Sequence, residues 1–234
     1  MSDHLTRKEL KQDTAALALD TVFHNMAGYR DRLVKYGGAV VAVALIAGLT
    51  VYYRGYQSGL RQQALGDAIV LQGVAIGTPA TPGGPSFPTE AAKKEAIVKA
   101  YTKILADHAG SDEGYIATYT LAAIDAENGK FADAKKKYQE VADSGGKEYG
   151  SMARLALAQI AFGEDKVDDA RKILKDLADN PTSMVSKNQA NYILARGISA
   201  KQPAEARKLL VELADTKSEI SQVAVTALGE LPPQ

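Results

Sequence analysis

The side chains able to do chemistry are few and scattered. Three histidines stand at His4, His24 and His108, far apart and without the i, i+4 spacing that sets two imidazoles on one helical face around a metal. No cysteine is present, which removes disulfides, thiolate nucleophiles, cysteine-ligated zinc and the lipid-modified cysteine of a bacterial lipoprotein. The sequence holds no G-x-S-x-G elbow, no Walker loop and no G-x-G-x-x-G. Paired carboxylates at Asp112-Glu113 and Asp168-Asp169 fall where helices should begin, and the positive end of a helix dipole accounts for acids there without general acid–base work. Lys135-Lys136-Lys137 lies beside Asp133 and Glu140 and reads as a solvated face, since no basic stripe extends it. Gly145-Gly146 reads as a helix break. The expectation is a non-enzymatic binding protein with no catalytic residue, cofactor or metal.

Charge narrows the partner. Lys plus Arg and Asp plus Glu each total 28, so no global field draws nucleic acid, and none is expected as a partner. A chain of 234 residues is long enough to bury a real core. Its Ala, Leu, Lys, Glu and Gln content favours helix over sheet.

The elements that must position a binding surface begin with one apolar stretch. From Tyr36 to Tyr53 no charged residue occurs. About eighteen residues at ~1.5 Å each give ~27 Å of helix, near the thickness of a bilayer's hydrocarbon core. Tyr29 and Tyr36 before it, and Tyr52, Tyr53 and Tyr56 at its end, stand where aromatic rings settle among headgroups, and Lys35 and Arg54 bracket it. A core helix should show a polar stripe, and a cleaved signal peptide rarely follows a charged leader of this length without an A-x-A site. An uncleaved single-pass anchor is expected. Arg7, Lys8, Lys11, Arg30, Arg32 and Lys35 outnumber the nearby Arg54 and Arg61, which predicts a cytoplasmic N-terminus and a chain that continues beyond the membrane. Gly38/Ala42 and Ala44/Gly48 are small-residue pairs able to pack a second helix, including one from another copy. Leu5 to Tyr29 reads either as a short amphipathic helix or as a cytoplasmic tail.

Repeats decide the rest. Leu105-Ala106-Asp107, Val141-Ala142-Asp143, Leu177-Ala178-Asp179 and Leu213-Ala214-Asp215 recur every 36 residues. Ala134, Ala170 and Ala206 share the spacing, as do Leu121, Leu157 and Ile193. Each unit reads as two helices: first helices over about 114–128, 148–163 and 183–198, and second helices over about 130–143, 166–179 and 203–215, with a last helix over 218–228. Ala is expected where paired helices cross closely, with Leu, Ile, Val and Tyr138 in the seams. Residues 56–76 are helical in pattern, Thr78–Thr89 is a Pro/Gly-rich loop, and Glu90–Asp107 matches the second half of a unit, so 56–76 reads as its first half. Four segments follow: residues 1–35 cytoplasmic, 36–53 transmembrane, 54–89 stalk helix and loop, and 90–234 repeats. The fold class is all-α, a transmembrane helix followed by an α-solenoid.

Leu121-Ala122, Gly129-Lys130-Phe131-Ala132-Asp133-Ala134 and Tyr138 resemble the tetratricopeptide (TPR) pattern, echoed by Leu157-Ala158, Ala170 and Leu174 and by Leu194, Ala206 and Leu210. The usual loop proline is missing, the period is two residues long, and Leu194 follows Ile193 where a small residue belongs, which leaves the third unit open to a shift of one. The resemblance implies that the first helix of each pair lines a concave protein-binding face. The positions carried over are Ile116, Tyr119, Ala123, Met152, Leu155, Gln159, Phe162, Asn188, Asn191 and Ile198, although Ile116, Leu155 and Ile198 fit a core equally well. As a whole, charged leader, single anchor and Ala-rich repeats resemble the YfgM-like ancillary subunits of the bacterial Sec translocon. That resemblance implies an inner-membrane protein whose periplasmic repeats meet translocon subunits, exported chains or chaperones. An anchored scaffold for an outer-membrane or cell-wall assembly is the alternative.

Overall fold

The computed structural model describes the backbone of residues 7–79 and 83–232, with side chains from Lys35 onward. His4, His24 and the basic side chains of the leader from Arg7 to Arg32 therefore lie outside the described residues, as does Pro82. The elements run α1 (Arg7–Gly73), β1 (Ala75–Ile76), β2 (Ser86–Phe87), α2 (Glu90–His108), α3 (Asp112–Glu127), α4 (Phe131–Ser144), α5 (Gly146–Gly163), α6 (Val167–Asp179), α7 (Lys187–Ile198), α8 (Pro203–Ala214) and α9 (Glu219–Glu230). The chain divides into two compact units, Met1–Gly59 and Leu60–Gln234.

In the first unit, the described part of α1 is exposed along its apolar stretch. Val40, Val43, Ile46, Leu49 and Val51 each keep more than half of their surface open. This helix is long and apolar enough to cross a membrane by length and composition.

The second unit is built from helix pairs. The turns of α1 from Leu60 onward pair with α2: Ala64, Leu65 and Ala68 meet Tyr101 and Ile104, and the Gln72 amide donates to the Tyr101 hydroxyl at 2.8 Å. Arg61 reaches the nearly buried Glu113 of α3 at 3.1 Å. Helix ends at Gly73 rather than at Ile76; Ile76 pairs in parallel with Phe87, and Ala75 with Ser86, a two-residue ladder that ties off the Pro/Gly-rich loop at its base. Beyond that ladder no strand occurs among the described residues. Pairs α3/α4, α5/α6 and α7/α8 follow, each packed on the next, and α9 covers α8 and α7.

Local chemistry sets the boundaries. Thr89, Ser111 and Ser186 cap α2, α3 and α7 by accepting from Ala92, Gly114 and Gln189 N–H groups. The start of α7 at Lys187 rather than near Ser183 has a cause in Thr182, whose hydroxyl takes the Met184 and Val185 N–H groups and folds 182–185 into a turn. Between α3 and α4, Gly129 is left-handed (φ 74°), and the N–H groups of Gly129 and Lys130 satisfy the Ala126 and Asp125 carbonyls. Between α5 and α6 the same bonds recur from Asp165 and Lys166 to Phe162 and Ala161, with Asp165 holding the left-handed position (φ 64°). The repeat thus keeps a backbone turn where it has lost the glycine.

Burial corrects the repeat register twice. Ala134, Tyr138 and Val141 match Ala170, Leu174 and Leu177, then Ala206, Leu210 and Leu213, all inside the core at the 36-residue spacing. In the α1/α2 pair the buried positions are Tyr101 and Ile104, so Leu105 falls one residue off the column. In the α7/α8 pair, Leu194-Ala195 takes the place of Leu121-Ala122 and Leu157-Ala158, because the turn built on Thr182 advances α7 by one residue; Ile193 is only half-buried. The lysine triplet keeps a solvated face but gains partners. Lys135 pairs with Glu164 at 3.0 Å and Lys137 with Asp125 at 2.7 Å, leaving Lys136 as the exposed member.

Lys135 opens a column of its own. The residue after each core alanine is a cation that reaches into the following unit: Lys135 to Glu164, Arg171 to Glu205 and Gln202, and Arg207 to the Pro232 carbonyl. The Lys135 and Arg207 contacts are solvent-exposed and those of Arg171 to Glu205 part-buried, so their worth is more as register marks between neighbouring pairs than as bulk stability. Close approach matters more. A Cβ on Gly114 would collide with the His108 carbonyl, a backbone group that cannot swing away. Gly114→Ala is expected to destabilise the second unit by about 1–3 kcal/mol, read as a shifted denaturant midpoint at unchanged slope.

Candidate functional site

The first helices present one well-formed apolar pocket. Ile116 and Tyr119 of α3, Tyr149 and Met152 of α5 and Met184 of the turn before α7 line a half-open hollow of about 240 Å³, with no charged side chain in the lining. Backbone geometry explains the grouping. Ile116 and Tyr119 are one turn apart on α3, Tyr149 and Met152 one turn apart on α5, and helix spacing turns each pair to a single side. Tyr119 is fixed from behind by an edge-on contact with Tyr138 of α4, ring centroids 5.2 Å apart.

The electrostatics keep this surface neutral. Burial pushes the Tyr119 hydroxyl up, and burial with the nearby Asp112 and Glu113 carboxylates does the same for Tyr149. Tyr138, buried beside Tyr119 and Glu127, is pushed up to about 12. All three phenols therefore stay protonated across the physiological range.

Met184 owes its place to Glu148. The Ser183 hydroxyl and the Met184 N–H both donate to its carboxylate, at 2.6 and 3.3 Å, and Thr182 meets the buried Ser151 hydroxyl at 2.8 Å. The Ser183 bond, followed by the backbone donors, holds the Glu148 carboxyl below its ordinary value despite some desolvation. A depressed carboxyl stabilises the turn at all pH above the unfolded value, and the contribution is lost as pH falls through the folded one. Glu148→Ala is expected to speed amide exchange at Met184 and Val185 at neutral pH while leaving α6 unchanged. Acidification of the unaltered protein through the folded Glu148 pKa should reproduce that local loss.

The other carried-over positions are spread out. Leu155 and Phe162 are half-buried and pack on the largest core cluster; Phe162 lies against Gly197, where a Cβ would strike its ring. Gln159 is exposed and lines a separate cleft of about 310 Å³ with Phe131 and Tyr138. Ala123 lines another cleft with Gln72 and Thr120. Asn188 is half-buried and donates to Ser218 at 3.4 Å, Asn191 is half-buried, and Ile198 is fully buried core. Of the ten, the pocket gathers Ile116, Tyr119 and Met152. Tyr149 and Met184 join them, and the one-residue advance of α7 makes Gln189, Tyr192 and Arg196 the counterparts of Met152, Leu155 and Gln159. Tyr149 was legible as one turn before Met152; nothing in the sequence marks Met184, which arrives through a loop.

A family model described as a tetratricopeptide repeat-like domain matches residues 33–188. The chain belongs to this family. No curated protein and no solved structure matches it. The tetratricopeptide-like match opens just ahead of the apolar stretch at Tyr36 and runs through the first three pairs to the start of α7. Repeats of this class are typically non-catalytic modules for protein–protein interaction. In these tetratricopeptide-like repeats no group of three His, Asp or Glu side chains arranged for a metal occurs among the described residues.

Proposed function

We propose that this is a membrane-anchored, non-enzymatic tetratricopeptide-like protein that binds other polypeptides at the bacterial cell envelope. Its N-terminus is cytoplasmic, its repeats lie in the periplasm, and its role is that of an ancillary component of the Sec translocon and periplasmic chaperone network. The observation that carries the reading is one chain joining two features. An 18-residue window of α1 is apolar and wholly unburied, and the repeats belong to a protein-interaction class. An unburied apolar helix has no place in water: full exposure of side chains such as Val43, Ile46 and Leu49 forfeits about 1.5–3 kcal/mol each relative to burial. Lipid removes that cost. The family match beginning at residue 33 treats the apolar stretch as part of the same pattern.

A scaffold for an outer-membrane or cell-wall assembly shares the anchor and the repeats. The two readings part on partner. Detergent-solubilised native membranes, with a tag after Gln234, should yield translocon subunits and periplasmic chaperones in amounts that respond to export load. Recovery of a fixed envelope-assembly complex, insensitive to export, replaces the first reading with the second.

A further inference from the structure

The pocket at Ile116, Tyr119, Tyr149, Met152 and Met184 is smaller than the ~300–1,000 Å³ of small-molecule sites. It is too small for a cofactor and the right scale for one side chain. Its walls are two tyrosine rings, two thioethers and an isoleucine. Methionine adapts its shape and makes favourable contacts with aromatic rings, and Tyr119 offers a ring already braced by Tyr138. Met184, 46% exposed at the rim, is the wall most open to a visitor.

The rim has a sign. Asp112 stands four residues before Ile116 and Glu148 four before Met152, so helix spacing sets both carboxylates one turn above the pocket and on its side. Glu113 lies beside them, held by Arg61 at 3.1 Å. Lys147 is the cation near Glu148. Three carboxylates therefore face two cations, one of them engaged, and the edge at the N-terminal turns of α3 and α5 keeps a net negative charge. The helix dipoles offset part of it.

We propose that this pocket receives a single large apolar side chain, aromatic or methionine-like, from a partner polypeptide in which a lysine or arginine flanks that residue. The inference rests on the reading of the repeats as a polypeptide-binding domain and names what one part of that surface selects. The apolar residue supplies the anchor, as buried aromatic anchors do at protein interfaces. The flanking cation meets Asp112 and sets which segments are taken first, an effect that weakens with salt.

The chain contains no tryptophan, so a tryptophan in a probe peptide reports binding against a silent background. The full chain in detergent micelles is titrated into capped Gly-Ser-Lys-Trp-Lys-Ser-Gly, and into the same peptide with both lysines replaced by glutamate. The lysine peptide should show a saturable blue shift, the glutamate peptide should bind at least threefold more weakly at low salt, and the gap should close at high salt. Met184→Asn, a neutral polar replacement on an exposed turn that leaves the charge of the rim unchanged, should weaken the lysine peptide at least tenfold. Asp112→Lys should erase the preference between the two peptides. Equal binding of both peptides at low salt, or indifference to Met184→Asn, overturns the proposal. Reduced, carboxymethylated α-lactalbumin, a permanently unfolded chain, is run in parallel. If it binds while the peptides ignore the pocket, the polypeptide-binding reading stands and the side-chain assignment falls; if neither binds, both fall.

Discussion

Leu174→Ala is expected to cost the second unit about 2–5 kcal/mol of unfolding free energy, the range for removing a fully buried leucine from a core that only partly collapses. Leu174 has no exposed surface and sits in the cluster with Leu177, Val185, Leu194 and Ile198, drawn from α6, α7 and the turn between them. In a solenoid each pair contacts only its neighbours, so stability is a sum of unit and interface terms and the damage has an address. Amide exchange should therefore rise first in α6 and α7, with the α1/α2 end last to respond. Val211→Ala, at a position 46% exposed, is the control and should change stability by no more than about 0.5 kcal/mol. A uniform loss of protection across all pairs would mean that the second unit unfolds as one body rather than as stacked neighbours.

Val43→Arg with Ile46→Arg is expected to release the protein from the membrane. Each arginine near the centre of a span costs about 2.5–3.5 kcal/mol on an insertion scale, and the lost Val and Ile each forgo a few tenths more, so the pair removes about 7 kcal/mol of insertion free energy. Both side chains are more than 60% exposed and touch no core, so the substitution leaves the repeats intact. After alkaline carbonate washing, the unaltered chain should stay with the membrane pellet and the double variant should move to the supernatant with its repeats folded. Equal retention of the two would show that something other than α1 holds the protein to membranes.

Particular residues show how much of the architecture could be read from sequence. The Ala134, Ala170 and Ala206 column is visible because close helix crossings admit little else, and the structure buries all three completely. Pro203 sits in the first turn of α8, where its fixed φ and missing donor suit a helix start. The pairing of α1's last turns with α2 across the Pro/Gly-rich insertion followed from the helical pattern of residues 56–76. The one-residue advance of α7 is left open by the letters, where Leu194 follows Ile193, but its cause is not legible, because it arises from Thr182 capping two N–H groups in a turn whose letters look like ordinary loop. The same advance is why Gln189 and Tyr192, rather than Asn188 and Asn191, hold the equivalent places. Met184 entered the pocket through that turn and its tie to Glu148, a contact between residues a full repeat apart. The cation column of Lys135, Arg171 and Arg207 was present in the letters at the same spacing as the alanines, but long charged side chains are normally solvated, and only coordinates show them reaching the next unit.

The most direct test of a tethered protein-binding solenoid is site-specific photocrosslinking in growing cells. A benzophenone amino acid is placed at Met184 or Gln189 on the first-helix side, and at Lys136 or Lys172 on the exposed second helices. The prediction is crosslinks to membrane-associated or exported polypeptides from positions 184 and 189, with the second-helix positions near background. Crosslinks of equal yield from all four positions, or from the second-helix positions alone, would contradict the assignment of polypeptide binding to the first-helix face.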